Sequence, residues 1–184
     1  MPMELETPRL LLREFRPDDR PAVHSFAADP LVTRYTAWGP LTAEETAAEL
    51  RASAAVAREL PRVRYALAVT DRSTGAVLGS IELRVTSTRH RRGSLDFAFG
   101  RSAWGRGYAT EAAVALVGFG FGELGLRKIT ATCSPENAAS SRVLTKIGMR
   151  LEGYLHDHVL VRDTWQDRLL FALIATGERA ARTD

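Results

Sequence analysis

The chain of 184 residues is long enough for one domain, 1–184, with a sizeable core. Its 45% hydrophobic and 26% charged content exclude a disordered or collagen-like chain. No apolar run of about 18 residues occurs, so no membrane span is expected; net charge is only +3, and the arginines lack the aromatic interleaving that stacks on bases, so nucleic acid is not the first partner expected.

Met1-Pro2-Met3-Glu4-Leu5-Glu6 has no basic region followed by an apolar one, so it does not read as a secretory signal. Pro8 to Phe15 predicts a first, apolar-rich strand. Pro17-Asp18-Asp19 gives a turn and a helix start, with Val23 and Phe26 on one face, ending at Asp29-Pro30. The loop Leu31 to Pro40 carries Tyr35 and Trp38, which either line an acceptor pocket or pack two helices together. Thr42-Ala43-Glu44-Glu45 has the form of a capping box and opens an alanine-rich helix to Leu60. Arg64 to Thr70 and Ala76 to Val85 form a hairpin about the turn Asp71-Arg72-Ser73-Thr74-Gly75. Thr86 to Gly93 reads as a polar loop, and Ser94 to Gly100 as the fourth strand.

A helix follows from the glycine turn to about Leu124, with Ala113, Val117, Phe121 and Leu124 as its buried stripe. Gly118, Gly120 and Gly122 each weaken an isolated helix by about 1 kcal/mol, so close packing on the sheet is expected to stabilise it. Arg127 to Ser134 is the fifth strand, Ala138 to Ile147 a helix closed by Gly148, and Leu151 to Val161 and Arg168 to Ala175 the last strands. The polar end from 177 to 184 is expected to fray. Cys133, the single cysteine, cannot form an internal disulfide and reads as a core thiol; the expected compartment is cytoplasmic.

Strands grouped and then alternating with helices predict an α/β (α+β) chain, a mixed sheet of about seven strands covered by helices. Of the basic residues only Lys128 and Lys146 are lysine. Arg84, Arg89, Arg91, Arg92, Arg101 and Arg106 cluster with His90, and Asp96 is the only acid between Arg84 and Arg106. The cluster is either a solvated basic loop or a site for an anionic partner.

The chain is organised around Trp104-Gly105-Arg106-Gly107-Tyr108-Ala109-Thr110-Glu111-Ala112, which joins the fourth strand to the long helix. Glycines let a backbone approach a ligand, and the first amides of a helix point outward without internal partners. Trp104 to Thr110 therefore reads as a pyrophosphate cradle or as a plain glycine turn. A dinucleotide fingerprint is excluded because Thr110 stands where its third small residue belongs, and the Walker lysine is absent.

The run resembles the acyl-CoA loop of the GNAT N-acetyltransferases, Gln/Arg-x-x-Gly-x-Gly/Ala, with Trp104 in the first place, Gly107 in the fourth and Ala109 in the sixth. Its wording is similar to the RimJ/RimL branch, which acetylates N-terminal amines of ribosomal proteins. Thr7-Pro8-Arg9-Leu10-Leu11-Leu12-Arg13 and Asn137-x-x-Ser140…Lys146-x-Gly148-Met149 resemble that branch too. The resemblance spans nearly the whole chain. It implies a mostly antiparallel sheet with a V-shaped splay between the fourth and fifth strands, and acetyl-CoA as co-substrate without a metal. Backbone groups of Phe97, Ala98 and Phe99 would pair with the pantetheine arm. Trp104, Gly105, Arg106, Gly107, Tyr108, Ala109 and Thr110 would hold the pyrophosphate, with Arg106 and Arg142 candidates for the phosphates. Asn137 would bond the cofactor, or serve only as a helix N-cap.

The implied chemistry is acyl transfer to a neutral amine, with a proton donor beside the leaving sulfur. Ser140 matches the family position for the donor, and Ser141 is its rival. Asp96 and Glu82 are the candidate general bases, with His156 and His158 as further titrating groups. Relatives often carry Glu-x-Gly-Tyr on the fourth strand, where this chain has Ser94 and Asp96 in place of the Glu and Gly. The acceptor is a protein N-terminus, or a small amine such as an antibiotic or polyamine; a non-catalytic CoA-binding module is the remaining alternative. No membrane or direct nucleic-acid partner is expected, and a homodimer is the prior assembly.

Overall fold

The computed structural model describes residues 3–176. The tail expected to fray, 177–184, lies outside them. In chain order the elements are β1 (Glu4–Glu6), β2 (Leu10–Arg13), α1 (Arg20–Ala27), α2 (Ala43–Val56), β3 (Arg64–Asp71), β4 (Val77–Ser87), β5 (Arg92–Phe99), α3 (Tyr108–Gly122), β6 (Lys128–Cys133), α4 (Ala138–Lys146), β7 (Arg150–Val161) and β8 (Thr164–Ile174). The strands form one eight-stranded sheet in the order β1-β2-β3-β4-β5-β6-β8-β7. Each pairing is antiparallel except β5 with β6, which is parallel.

The sequence led to about seven strands; the additional one is β1. Its three residues, Glu-Leu-Glu, are too short and too charged to show a strand pattern, and the ladder to β2 is what makes it a strand. The predicted polar loop at Thr86 to Gly93 is also shorter than expected, because β4 runs to Ser87 and β5 starts at Arg92. Likewise β8 begins at Thr164 and not at Arg168: Trp165 pairs with Leu160 and Gln166 with Val159 across a turn at Arg162 and Asp163, both at positive φ. Cross-strand pairing, which local composition does not encode, decides all three boundaries.

The main core lies between the sheet and α3. Leu10, Leu12, Leu67 and Leu83 meet Ala112, Ala113 and Leu116, all without solvent exposure. Burying each leucine contributes about 1.5–3 kcal/mol. Of the three α3 glycines only Gly120 answers to the expected close packing. A Cβ there would stand 2.8 Å from Ile129 Cδ1 and from Leu83 Cδ2, whereas nothing lies within 4 Å of one at Gly118 or Gly122. Gly118→Ala is therefore expected to stabilise the protein by about 1 kcal/mol and Gly120→Ala to destabilise it, read as opposite shifts of the urea midpoint at constant slope.

On the opposite face Arg64 ties α2 to the sheet, donating to Glu49 of α2 at 2.6 Å and to Glu82 of β4 at 2.7 Å. The capping box at the start of α2 is formed in both directions: Thr42 Oγ1 accepts from Glu45 N at 3.2 Å, and Glu45 accepts from Thr42 N at 2.8 Å. Among the described residues no helix is long and apolar enough to cross a membrane.

Candidate active site

The parallel ladder between β5 and β6 joins Arg92, Gly93 and Ser94 to Lys128, Ile129 and Thr130 and goes no further. Beyond it the strands part, so Leu95 to Phe99 present an unpaired backbone edge towards Ala131 and Thr132. The gap opens at the carboxyl ends of both strands, the place where parallel neighbours commonly receive a ligand. Two helix N-termini, those of α3 and α4, follow directly from these strand ends.

At the α3 end, Gly107 is the N-cap at φ +79° and Gly105 stands at φ +73°, with nothing within 4 Å of a Cβ built on Gly105. The first amide of α3 with a backbone acceptor is that of Glu111, donating to Gly107 O at 3.0 Å. Among the described residues the amides of Gly105, Arg106, Gly107, Tyr108, Ala109 and Thr110 have no hydrogen-bond acceptor. Trp104 anchors the turn: its indole Nε1 donates to Phe99 O at 2.7 Å. Arg106 is exposed.

Glu111, in the first turn of α3, is a structural residue that sequence reasoning missed. Thr7 Oγ1 donates to it at 2.6 Å, Arg9 N at 2.9 Å and Arg9 Nε at 2.7 Å. Arg9 also donates to Arg106 O at 3.0 Å and lies 4.6 Å over the Tyr108 ring. Burial pushes the Glu111 carboxyl up, but the bonds from Thr7 and Arg9 outweigh it and hold it low. The acid is thereby neutralised locally and does not repel an anion from the adjacent amides. The signal was present, since Thr7-Pro8-Arg9 and Glu111 both lie in the quoted motif runs, but nothing in a linear pattern joins them.

At the α4 end, Asn137 Oδ1 caps the helix by accepting from Ser140 N at 3.1 Å, leaving its Nδ2 for other partners. Ser141 Oγ lies 3.3 Å from Cys133 Sγ. Burial raises the Cys133 thiol above its ordinary range, as a core thiol requires. The Ser140 hydroxyl has no partner among the described residues, and Arg142 is exposed.

On the α2 side of the gap, Asp96 of β5 sits directly across from Glu82 of β4. Asp96 keeps an exposed surface, yet the protein packed around its carboxyl, with the charge of Glu82 adding to it, pushes that carboxyl up to about 6; Arg84 and Arg168 oppose the shift. Glu82 is itself held in two ion pairs, with Arg64 at 2.7 Å and Arg84 at 2.8 Å. Arg168 of β8 was not singled out by sequence reasoning. It is 4% exposed, and its neighbour Leu169 pairs with Cys133, so it stands at the mouth of the gap.

The arginine cluster of the sequence divides. Arg84 and Arg92 lie at the β4–β5 turn, while Arg101 and Arg106 lie past Phe99, about 23 Å along the strand. Arg101 is paired with Asp29 at 2.7 Å. His156 lies on the β7–β8 hairpin, 3.6 Å from Asp167, with its ring centroid 4.7 Å from that of Tyr154 and tilted 46° to it. Among the described residues no group of three or more His, Cys, Asp or Glu is arranged to hold a metal ion.

Residues 9–150 match the family described as "Acetyltransferase (GNAT) domain". The uncharacterized N-acetyltransferase YnaD of Bacillus subtilis is 33% identical over 172 residues, 94% of this chain and 97% of that protein. The crystal structure of a GNAT-family acetyltransferase from Bacillus anthracis superposes with a TM-score of 0.82 at 31% identity, covering 94% of this chain and 98% of that one. Mycobacterium smegmatis RimJ, in complex with CoA-disulfide, has the same fold, with a TM-score of 0.81 at 24% identity over 95% and 87% of the two chains. With a matching family domain over most of its length and a relative alike from end to end, the chain belongs to the GNAT acetyltransferases.

Proposed function

We propose that the protein transfers an acetyl group from acetyl-CoA to a primary amine by direct attack in a ternary complex, the N-terminal amine of a protein being the acceptor that the Trp104–Ala112 pattern favours. The observation that carries this reading is the row of unpartnered amides from Gly105 through Thr110, beside the gap between β5 and β6. Amides so arranged, at the positive end of a fifteen-residue helix, suit a pyrophosphate. The exposed Arg106 and Arg142 add positive charge for the phosphates. The open β5 edge at Phe97, Ala98 and Phe99 offers backbone groups to an extended amide-bearing arm, although Trp104 already occupies one lone pair of the Phe99 carbonyl. The free Nδ2 of Asn137 is a further donor there.

Acetyl-CoA supplies the thioester whose C–S bond breaks as the new C–N bond forms. Asp96 takes the proton that the attacking amine loses, and Ser140 gives a proton to the departing sulfur. Glu82, already bound by Arg64 and Arg84, favours Asp96 over itself as the base. Ser141, turned to Cys133, leaves the donor role to Ser140. A thiolate is a fair leaving group, so Ser140→Ala is expected to lower kcat only about tenfold and Ser141→Ala less.

The deciding experiment is CoA thiol release from acetyl-CoA with and without N-terminal peptides, polyamines and antibiotic amines. Release that depends on the acceptor supports the transferase and identifies the acceptor class. Tight acetyl-CoA binding without release on any acceptor makes the protein a binding module, and no binding removes the reading of the α3 turn.

A further inference from the structure

Arg168 is a buried cation without a counter-ion. Among the described residues no carboxylate lies within 4.0 Å of its guanidinium. Its bonds are long and go to neutral oxygens: Gln166 Oε1 at 3.3 Å, Asp167 O at 3.4 Å and Tyr35 O at 3.3 Å. Charge taken out of water at this cost is rare unless a partner arrives. Two observations place it where an acceptor would lie. It stands at the mouth of the β5–β6 gap, beyond the end of β6. Its charge also acts on Asp96, the group assigned to receive the acceptor's proton.

The segment facing it is fixed by the same hairpin. Arg162, in the β7–β8 turn, donates to Gly39 O at 2.8 Å and Thr33 O at 3.1 Å, and Arg168 donates to Tyr35 O. Carbonyls of the α1–α2 connection are thus held by the β7–β8 hairpin, and the loop that the sequence left as pocket wall or helix packing is tied to the same strand as Arg168.

We infer that Arg168 is the specificity-determining residue of the acceptor site: its guanidinium receives a carbonyl or carboxylate oxygen next to the reacting amine, while Asp96 faces the amine. The proposal rests on the acetyl-transfer reading for the identity of the acceptor. A carboxylate and a cation whose charges act on one another without pairing match an α-amino acyl group, whose amine nitrogen and carbonyl oxygen are three bonds apart through two carbons. The same cation repels acceptors carrying a second positive charge, which disfavours polyamines and aminoglycosides.

The test is equilibrium titration of the CoA-loaded protein with L-alaninamide, free L-alanine, an alanyl tripeptide, ethylamine and spermidine. Wild type is expected to bind alaninamide and the tripeptide about 10–100-fold tighter than ethylamine, with spermidine weakest, the range expected for a charge-assisted hydrogen bond. Free alanine separates a carboxylate from a peptide carbonyl as the source of the oxygen. In Arg168→Met that ratio is expected to collapse towards one, with Arg168→Lys retaining part of it, while CoA affinity and Tm report that the fold persists. Wild type binding ethylamine as tightly as alaninamide overturns the proposal whether or not the variants fold. So does Arg168→Met keeping the wild-type ratio. Because binding is read separately from turnover, a wild-type preference for alaninamide that Arg168→Met abolishes, but without thiol release, would count against acetyl transfer and not against Arg168.

Discussion

Asp96→Asn is expected to lower kcat/KM for acetyl transfer about 10²–10⁴-fold while leaving acetyl-CoA binding intact, since general-base catalysis contributes on that scale. The pH dependence gives the sharper readout. Asp96 accepts a proton only as a carboxylate, and its carboxyl is raised to about 6 by loss of water and by Glu82. Because the attacking amine must also be neutral, wild-type kcat/KM is expected to rise about tenfold per pH unit between about 6 and the α-amine's own value near 8, and to fall about a hundredfold per unit below about 6, where Asp96 is protonated too. In Asp96→Asn the extra acid limb near 6 disappears and only the slope of the amine is left.

Stability separates this from a folding defect. A carboxyl raised in the folded state binds its proton more tightly there than in the unfolded chain, so ionisation opposes folding as pH rises from about 4 to about 6. Asparagine removes that opposition, and the variant is expected to melt no lower than wild type at pH 7. A variant that keeps wild-type turnover, or an extra acid limb that survives the substitution, would hand the proton to water.

The second large effect lies away from the gap. Arg13 of β2 and Asp19, the residue preceding α1, form a bidentate pair, with both donor–acceptor distances 2.7 Å and side chains 8% and 5% exposed. Asp19 also accepts from Arg16 N at 2.7 Å. Burial pushes its carboxyl up, but the bonds from Arg13 and Arg16 outweigh burial and hold it below the usual range. Asp19→Ala leaves the Arg13 charge buried without a partner and is expected to cost about 3–5 kcal/mol, a loss of roughly 10 °C in Tm for a chain of this size. The double variant Arg13→Met, Asp19→Leu removes both charges and is expected to recover most of that loss.

The linkage has the opposite sign to that of Asp96. The folded value is depressed, so the stability that Asp19 contributes is full above its unfolded value near 4 and is lost as pH falls below it. Urea midpoints measured between pH 3 and pH 7 check this, since wild type should lose stability on acidification faster than the double variant. The pair also fixes where α1 leaves the sheet, and α1 leads into the Thr33–Tyr35 loop held by Arg162 and Arg168. A loss here is expected to weaken acceptor binding before acetyl-CoA binding.

Much of this protein was legible in the chain because the features concerned are local. Gly107 at positive φ before α3, the reciprocal Thr42–Glu45 cap and the Asn137 cap on Ser140 each depend on a few adjacent residues, and the sequence alone determined them. The order of helices and strands and the acetyltransferase family were readable for the same reason: burial periodicity and the glycine turn are properties of short windows. Only the tertiary structure decided which acid is free. Glu82 and Asp96 look alike as strand carboxylates, and it is Arg64, eighteen residues away, that binds one and not the other. Arg9 meeting Glu111 across 102 residues, and Arg168 meeting Tyr35 across 133, likewise leave no mark in any window. The splay that makes the gap is of this kind too, since it consists of hydrogen bonds that β5 and β6 do not make. Charge partners and the end of a ladder are set by how distant segments pack, and packing answers to the whole core and not to the residues nearest in sequence.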